Sequence, residues 1–535
     1  MKNLLLLTLI FCELSIASKC NQFFISKVPT EIRKNIVNSL TKDINTTDEI
    51  LSTVKSAIAP FGYVNSKVKL LNCSLSINLG QPTRVRINKS NKLIPNIPGF
   101  KDDDIFSSKT YTKAINWLYK HFKSLGYRDV DLSQSEIIIN PSTNTANIDF
   151  NIELGKKYVF GNITFETEYI SNELIQRYFT IKLGDPYSSI KLQEIENNLR
   201  KSGYFKSVQL TAMPEHNNEI PIRVKTILSA KTQILAGLGY DSLNSIKAIF
   251  NSRTIANRLG HIMSSITSIS QNISNIQLQY LIPGNKPQEE KYIAQAIYSV
   301  EKILDKKDTS ANLSFSYNRK NEFASIIIGI NAIRNKQSDS TQDINTNILY
   351  PYGHIERNSS YVNKKNLITY QWSASSLLAK KGFLSSIDIA QLKFKYRSKI
   401  PLSNEYRVVV SSQLGINWTN DPTRQPLPIL LTLGGNNSLR GYPYNSIINR
   451  TDKLQILRAL SLEIQKKIAN NIYGTTFIDM GQISQDLTKP LLKGIGVGAT
   501  YSTDIGDVNF SVAKPLDQPP DGSSKKIRFS VSYTM

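Results

Sequence analysis

From about Thr232 to the end of the chain, apolar and polar residues alternate with a period of two. Ile276, Leu278 and Tyr280 alternate with Asn275, Gln277 and Gln279 before a Pro283-Gly284-Asn285 turn. Val408, Val410, Leu414, Ile416 and Trp418 share one side of another run, and Val508, Phe510 and Val512 oppose Asn509 and Ser511. At the end, Ile527, Phe529, Val531, Tyr533 and Met535 face away from Arg528, Ser530, Ser532 and Thr534. A strand puts successive side chains on opposite faces, so such runs of about ten residues separated by turns fit a transmembrane barrel, apolar outside and polar within. A soluble β-sandwich has the same period but shorter strands. No segment reaches the roughly 18 apolar residues of a spanning helix, so a membrane crossing by this chain requires a closed barrel.

The start of the chain supports export. Lys2, an apolar run from Leu4 to Phe11 and the small residues Ser15, Ala17 and Ser18 describe a secretory signal over residues 1–18, cleaved after Ala17 or Ser18. Lys19 directly before Cys20 departs from a lipoprotein processing site. Cys12 leaves with the signal, so Cys20 and Cys73 remain, either as one disulfide or as two free thiols. The net charge of +23 is scattered rather than clustered, which argues for a basic surface and lumen over nucleic-acid binding, with lipopolysaccharide phosphates as a secondary contact. His121, His216, His261 and His354 have no ligand-spaced partners, and no nucleophile elbow or phosphate-cradling glycine loop is present. No metal, cofactor or enzymatic activity is expected.

The first half repeats a unit of amphipathic helix, Gly-Tyr step and strand. The steps are Phe61-Gly62-Tyr63, Leu125-Gly126-Tyr127 and Ser202-Gly203-Tyr204. In the third, Ser188 or Ser189 can cap a helix whose Leu192, Ile195 and Leu199 share a face, and Gly203 suits its left-handed stop. Val159 to Phe165 reads as the first strand of that unit, and Val208 and Leu210 begin another. A strand, two helices and two strands in about 70 residues resemble the POTRA module, most closely in the third repeat. The expected domains are residues 19–92, 93–156 and 157–228, followed by a barrel over 229–535. A free sheet edge in such a module can take up another chain through backbone hydrogen bonds, the alternative being a rigid spacer.

Within the barrel half, Gly434-Gly435-Asn436-Asn437-Ser438-Leu439-Arg440-Gly441-Tyr442 is a turn-rich segment with one cation. An arginine inside a lumen needs carboxylate partners, and Glu463 and Asp479, the latter in Phe477-Ile478-Asp479-Met480-Gly481, are the candidates. Alternation turns Leu462 and Ile464 toward lipid, and Glu463 and Gln465 inward. The segment resembles the Gly-Gly…Arg-Gly-(Tyr/Phe) loop of the outer-membrane assembly and secretion barrels, the BamA/TamA superfamily. Together with three repeats and Gly494-Ile495-Gly496-Val497-Gly498, the resemblance to the TamA-like members covers almost the whole mature chain. It implies sixteen strands and an α+β region followed by an all-β barrel. It also implies an outer-membrane location with the repeats in the periplasm, and a lumenal lock formed by Gly434, Gly435, Arg440, Gly441, Tyr442, Glu463, Asp479 and Gly481. A seam is implied between a first strand holding Gly237, Gly239 and Tyr240 and a last strand holding Phe529, Val531, Tyr533 and Met535. The function implied is insertion and folding of outer-membrane proteins such as autotransporters. The implied partners are unfolded clients, outer-membrane lipid and a TamB-like, inner-membrane-anchored periplasmic protein. A dedicated secretion pore of the two-partner type and a passive porin are the alternatives. The terminal Met535 departs from the Phe that ends many such barrels.

Overall fold

The computed structural model describes residues 23–25, 28–40, 46–88, 94–133, 135–241, 245–303, 306–338, 343–363, 366–436, 438–503, 506–518 and 526–534. The expected signal, Cys20, Asn437 and Met535 lie outside these residues. Cys73 is disulfide-bonded. Two compact units divide the chain. The first holds residues 1–165, 180–196 and 209–224; the second holds 166–179, 197–208 and 225–535.

The first unit is built from α/β layers. Helices α1 (Thr30–Ser39) and α2 (Thr47–Ile58) cover a sheet in which Phe24–Ile25 lies parallel to Ser74–Asn78, with Lys67–Leu71 antiparallel on its other side. Thr46 starts α2 with a reciprocal cap: its hydroxyl accepts from the Glu49 amide, and Glu49 accepts from the Thr46 amide. Ile50, Val54, Ala57 and Ile58 then fall on the buried face at helical spacing. Helix α3 (Ser108–Ser124) repeats the plan, burying Ala114, Leu118 and Phe122 over strands Arg84–Ile87, Glu136–Asn140 and Thr145–Asp149. Here too the first strand runs parallel to the third, and the second is antiparallel to it. The same first–third–second order recurs in Val159–Glu166, Phe205–Ala212 and Glu219–Leu228, with α4 (Asn172–Gln176) and α5 (Ser189–Lys201) following the first of these strands; the residues of this stretch are divided between the two units, α4 falling in the second.

One expected boundary moves. Arg84–Ile87, assigned from sequence to a first domain ending at 92, pairs with Thr145–Asp149, and Val85 is buried in the second core. The alternation of Arg84, Val85, Arg86 and Ile87 identifies a strand but not the sheet that it joins. Leu118 of α3 is fully buried in that core. Leu118→Ala is expected to lower local stability by about 2–5 kcal/mol, read as faster amide exchange across residues 108–124 with the barrel unaffected.

The second unit is dominated by sixteen strands. These are β1 (Thr232–Asp241), β2 (Ser245–Ile255), β3 (Ile262–Ile269), β4 (Ile273–Pro283), β5 (Glu290–Ile303), β6 (Lys306–Lys320), β7 (Ser325–Ser338) and β8 (Asp343–Asn363). The order continues with β9 (Asn366–Ala379), β10 (Ile389–Pro401), β11 (Tyr406–Thr419), β12 (Leu454–Ala469), β13 (Ile472–Ser484), β14 (Leu492–Thr503), β15 (Gly506–Pro515) and β16 (Arg528–Thr534). Each pairs antiparallel with the next. The period-2 pattern becomes two faces: Leu414, Ile416, Leu462, Ile464, Ile495 and Val497 are exposed outward, whereas Asn417, Gln455, Gln465 and Asp479 are buried on the other side. Among the described residues β1 and β16 are the two ends of the sheet and are not hydrogen-bonded to each other. Gly237, Gly239 and Tyr240 lie in β1, paired with Ile249, Lys247 and Ile246 of β2. Phe529, Val531 and Tyr533 lie in β16, paired with Val512, Phe510 and Val508 of β15; Phe529 and Val531 are exposed.

Segments 166–179 and 197–208 fold with the barrel through contacts to its connecting turns. The Tyr204 hydroxyl donates to the Gly260 carbonyl at 2.6 Å, Arg253 donates to the Gly203 carbonyl at 3.2 Å, and Arg258 donates to the Tyr169 carbonyl at 3.1 Å. Burial pushes the Tyr204 phenol up to about 12. A raised phenol pKa stabilises only the neutral form, so its contribution is complete below the ordinary value near 10 and is lost as pH climbs toward 12. Tyrosinate absorbance should therefore show one class of phenol ionising late, and Tyr204→Phe should remove part of it.

Candidate functional site

The connection between β11 and β12, residues 420–453, folds back against the polar wall of the barrel. Its two short 3-10 turns, Pro422–Arg424 and Leu427–Ile429, are followed by a small ladder pairing Thr432–Leu433 with Ile447–Ile448. An apolar nucleus of Leu431, Leu433, Leu439, Tyr442 and Ile447 seats it on Leu457, Ala459 and Ile483 of β12 and β13. A buried amide network closes one flank: Asn417 accepts from Gln391 and donates to Gln425 and Gln455, and Arg450 donates to Gln337 of β7 at 3.0 Å.

The tip of this segment presents Arg440 to β12 and β13. Nε and Nη2 of Arg440 donate to the two oxygens of Asp479, both at 2.7 Å, a bidentate pair. The Arg440 amide donates to the same carboxylate at 2.9 Å. Nη1 lies 2.9 Å from Glu463, and Nη2 also donates to Ser461 at 3.0 Å. The guanidinium sits over the Phe477 ring, 3.4 Å from its centroid, which covers one of its faces. Side-chain exposure is 12% for Arg440, 10% for Glu463 and 1% for Asp479, so this is a desolvated cluster and not a surface pair. Register explains the convergence. Ser461 is directly opposite Asp479, Glu463 is opposite Phe477, and Gly494 of β14 is opposite Asp479.

The glycines make this approach possible. Gly434 and Gly441 have φ of +110° and +93°, conformations that other residues reach only with strain. A side chain on Gly434 would also meet the Pro443 carbonyl, and one on Gly441 would meet the backbone of Lys514 at 2.9 Å. Gly481 leaves room for Leu433, whose Cδ1 would be 3.0 Å from an added Cβ. Gly435 donates to the Tyr442 carbonyl at 3.1 Å, and the Tyr442 hydroxyl donates to the Lys493 carbonyl at 3.0 Å. All eight residues of the sequence-derived loop set therefore fall at one locus. Sequence reasoning missed Ser461, Phe477 and Gly494 as members. An added Cβ on Gly494 would strike the Arg440 carbonyl oxygen. The alternation of Gly494, Gly496 and Gly498 was the available signal, since it bares one face of β14. Two contacts join the loop to the last strand: Asn436 donates to the Val531 carbonyl at 3.2 Å, and Arg528 donates to the Gly441 carbonyl at 3.1 Å.

Residues 110–535 match the family model described as the Omp85 superfamily domain. The chain belongs to the Omp85 superfamily. It is accordingly an outer-membrane β-barrel protein with its α/β domains in the periplasm, and its functional class is insertion of proteins into that membrane or secretion through it. Among solved structures, BamA from Haemophilus ducreyi lacking POTRA domains 1–3 is similar at 16% identity and a TM-score of 0.63, over 84% of this chain and 99% of that one. CdiB from Acinetobacter baumannii is similar at 12% identity and a TM-score of 0.49, over 81% and 82% of the two chains. CdiB from Escherichia coli matches at 12% and 0.49, over 84% and 89%. In this Omp85 barrel Ile464 and Val497 are exposed on the apolar face of the wall, while the Arg440 cluster is buried on the opposite, polar face.

Proposed function

We propose that this chain is a TamA-like assembly subunit that inserts and folds other outer-membrane proteins, autotransporters among them, without making or breaking a covalent bond. The observation that carries this reading is the unpaired end of the sheet. β1 and β16 each leave one edge without a neighbouring strand among the described residues, and an unpaired edge templates an incoming strand. A client strand in lipid has no water for its amides and carbonyls, so such a template removes the largest cost of insertion. The lumenal loop reaches this end through Asn436 and Arg528, which ties the Arg440 lock to the geometry of the seam. The three α/β domains, which resemble POTRA modules, would receive unfolded clients at their sheet edges. A TamB-like periplasmic protein is the partner this reading requires.

Photo-crosslinking residues placed at Ile234 and Phe529, both exposed on the terminal strands, test the proposal in membranes carrying a stalled barrel client. Adducts between these positions and client strands are expected. Adducts confined to lumenal positions such as Gln371, formed with an extended secreted polypeptide, would replace assembly by a dedicated secretion pore.

A further inference from the structure

We propose that the lumen wall holds a binding site for a phosphate-class oxyanion, centred on Lys395 and Arg397 of β10. Four cations occupy alternate positions of that strand: Lys393, Lys395, Arg397 and Lys399. Gln391, at the same parity, is buried in the lumenal amide network, whereas Leu392 and Phe394 are exposed on the opposite face. The four therefore share the lumenal side, with rungs about 7 Å apart.

Among the described residues, an acid within ion-pair distance neutralises only one of the four. Lys399 pairs with Asp507 at 2.6 Å. Asp479 and Glu463 are engaged by Arg440. Glu356 lies in the same cross-strand row as Lys395, through Ser373, but accepts from Gln371 and Asn358 and sits 3.7 Å from His354. Among the described residues, Lys393, Lys395 and Arg397 have no carboxylate within 4 Å, and the buried Nε of Arg397 has no hydrogen-bond acceptor. A guanidinium N–H shielded from water and left unmatched is an unfavourable arrangement unless an anion completes it.

Space for that anion is present. A cavity of about 460 Å³ has Lys395, Arg397, Ser373, Ser411 and Ser511 among its lining residues, with Glu463 and Asp479, both held by Arg440, also on its wall. Register places Ser373 opposite Lys395, and Ser411 opposite Arg397. Two cations one rung apart, flanked by hydroxyl donors along a partly open cavity, match the several oxygens and multiple charge of a phosphate monoester or diphosphate. The planar fork of Arg397 suits two oxygens of one phosphoryl group.

The test is titration calorimetry of the full chain in detergent micelles and phosphate-free buffer, with inorganic pyrophosphate as the first probe. Short-chain phosphatidic acid is the second. Saturable pyrophosphate binding is expected, weakened about tenfold or more by Arg397→Gln and abolished by Lys395→Gln with Arg397→Gln. Arg397→Lys should retain part of it. Tighter binding of the phosphatidic acid would assign the site to a lipid headgroup, and weaker binding to a free anion. Lys380→Gln, which removes an equal charge at a side chain 82% exposed, is the control and should change nothing. Heat-modifiable gel migration verifies that each variant barrel is folded. Wild-type protein that binds no pyrophosphate, or equal losses in Lys380→Gln and Arg397→Gln, would overturn the assignment.

Discussion

Arg440→Ala is expected to destabilise the barrel by about 3–5 kcal/mol and to depress client insertion. The magnitude follows from what remains. Asp479, 1% exposed, would lose two guanidinium contacts and keep only the amide of residue 440 and the Ser461 hydroxyl. Glu463 would lose its cation and keep the Gln465 amide. A carboxylate that loses its buried cation is costlier than a pair that was never formed, because desolvation persists without the compensating charge. Arg440→Lys should recover only part of the loss, since an ammonium cannot bridge both oxygens of Asp479 while covering the Phe477 face. The readout is the temperature at which heat-modifiable migration disappears, together with insertion of a barrel client into liposomes. An unchanged transition temperature with full insertion would mean that the cluster is ornamental to both stability and activity.

Gly494→Val should have a comparably large effect, through sterics instead of charge. No Cβ fits between β14 and the Arg440 carbonyl, so the loop must lift from the wall, breaking an Arg440–Asp479 geometry that depends on distances of 2.7 Å. Overpacking of a closed site costs about 1–3 kcal/mol, and loss of the lock adds to it. Limited proteolysis within residues 438–453 is expected to become rapid in this variant while remaining slow in wild type. Gly353→Ala in β8, where the nearest atom would be a Ser376 hydroxyl at an ordinary 3.4 Å, should leave proteolysis and migration unchanged. Equal protease resistance in Gly494→Val and wild type would show that the loop does not need the bare face of β14.

Much of the barrel was legible because strand periodicity is local. Leu462, Glu463, Ile464 and Gln465 each declare a face by parity, and those faces are the ones that the sheet adopts. Arg440, Glu463 and Asp479 could be grouped from chemistry, because a lumenal cation demands acids on inward positions. Phe477 and Ser461 could not, since a phenylalanine at an inward position reads as packing until the guanidinium is found above it. Arg84–Ile87 failed for a related reason: a strand's alternation is intrinsic, but its partner is chosen by the whole domain.

The sequence by itself determined the strand faces, the helix-and-glycine repeats and the cation–carboxylate set at the lock. Each depends on a spacing or chemical complement visible within the chain. Only the tertiary structure decided register, and register is cumulative: one residue of slip between β12 and β13 would separate Ser461 from Asp479, and one between β13 and β14 would move Gly494 away from Asp479. The same cumulative pairing placed Lys395 and Arg397 beside serine hydroxyls with no carboxylate of the described residues within 4 Å, which four scattered-looking basic residues do not reveal until their neighbours on β9 and β11 are fixed.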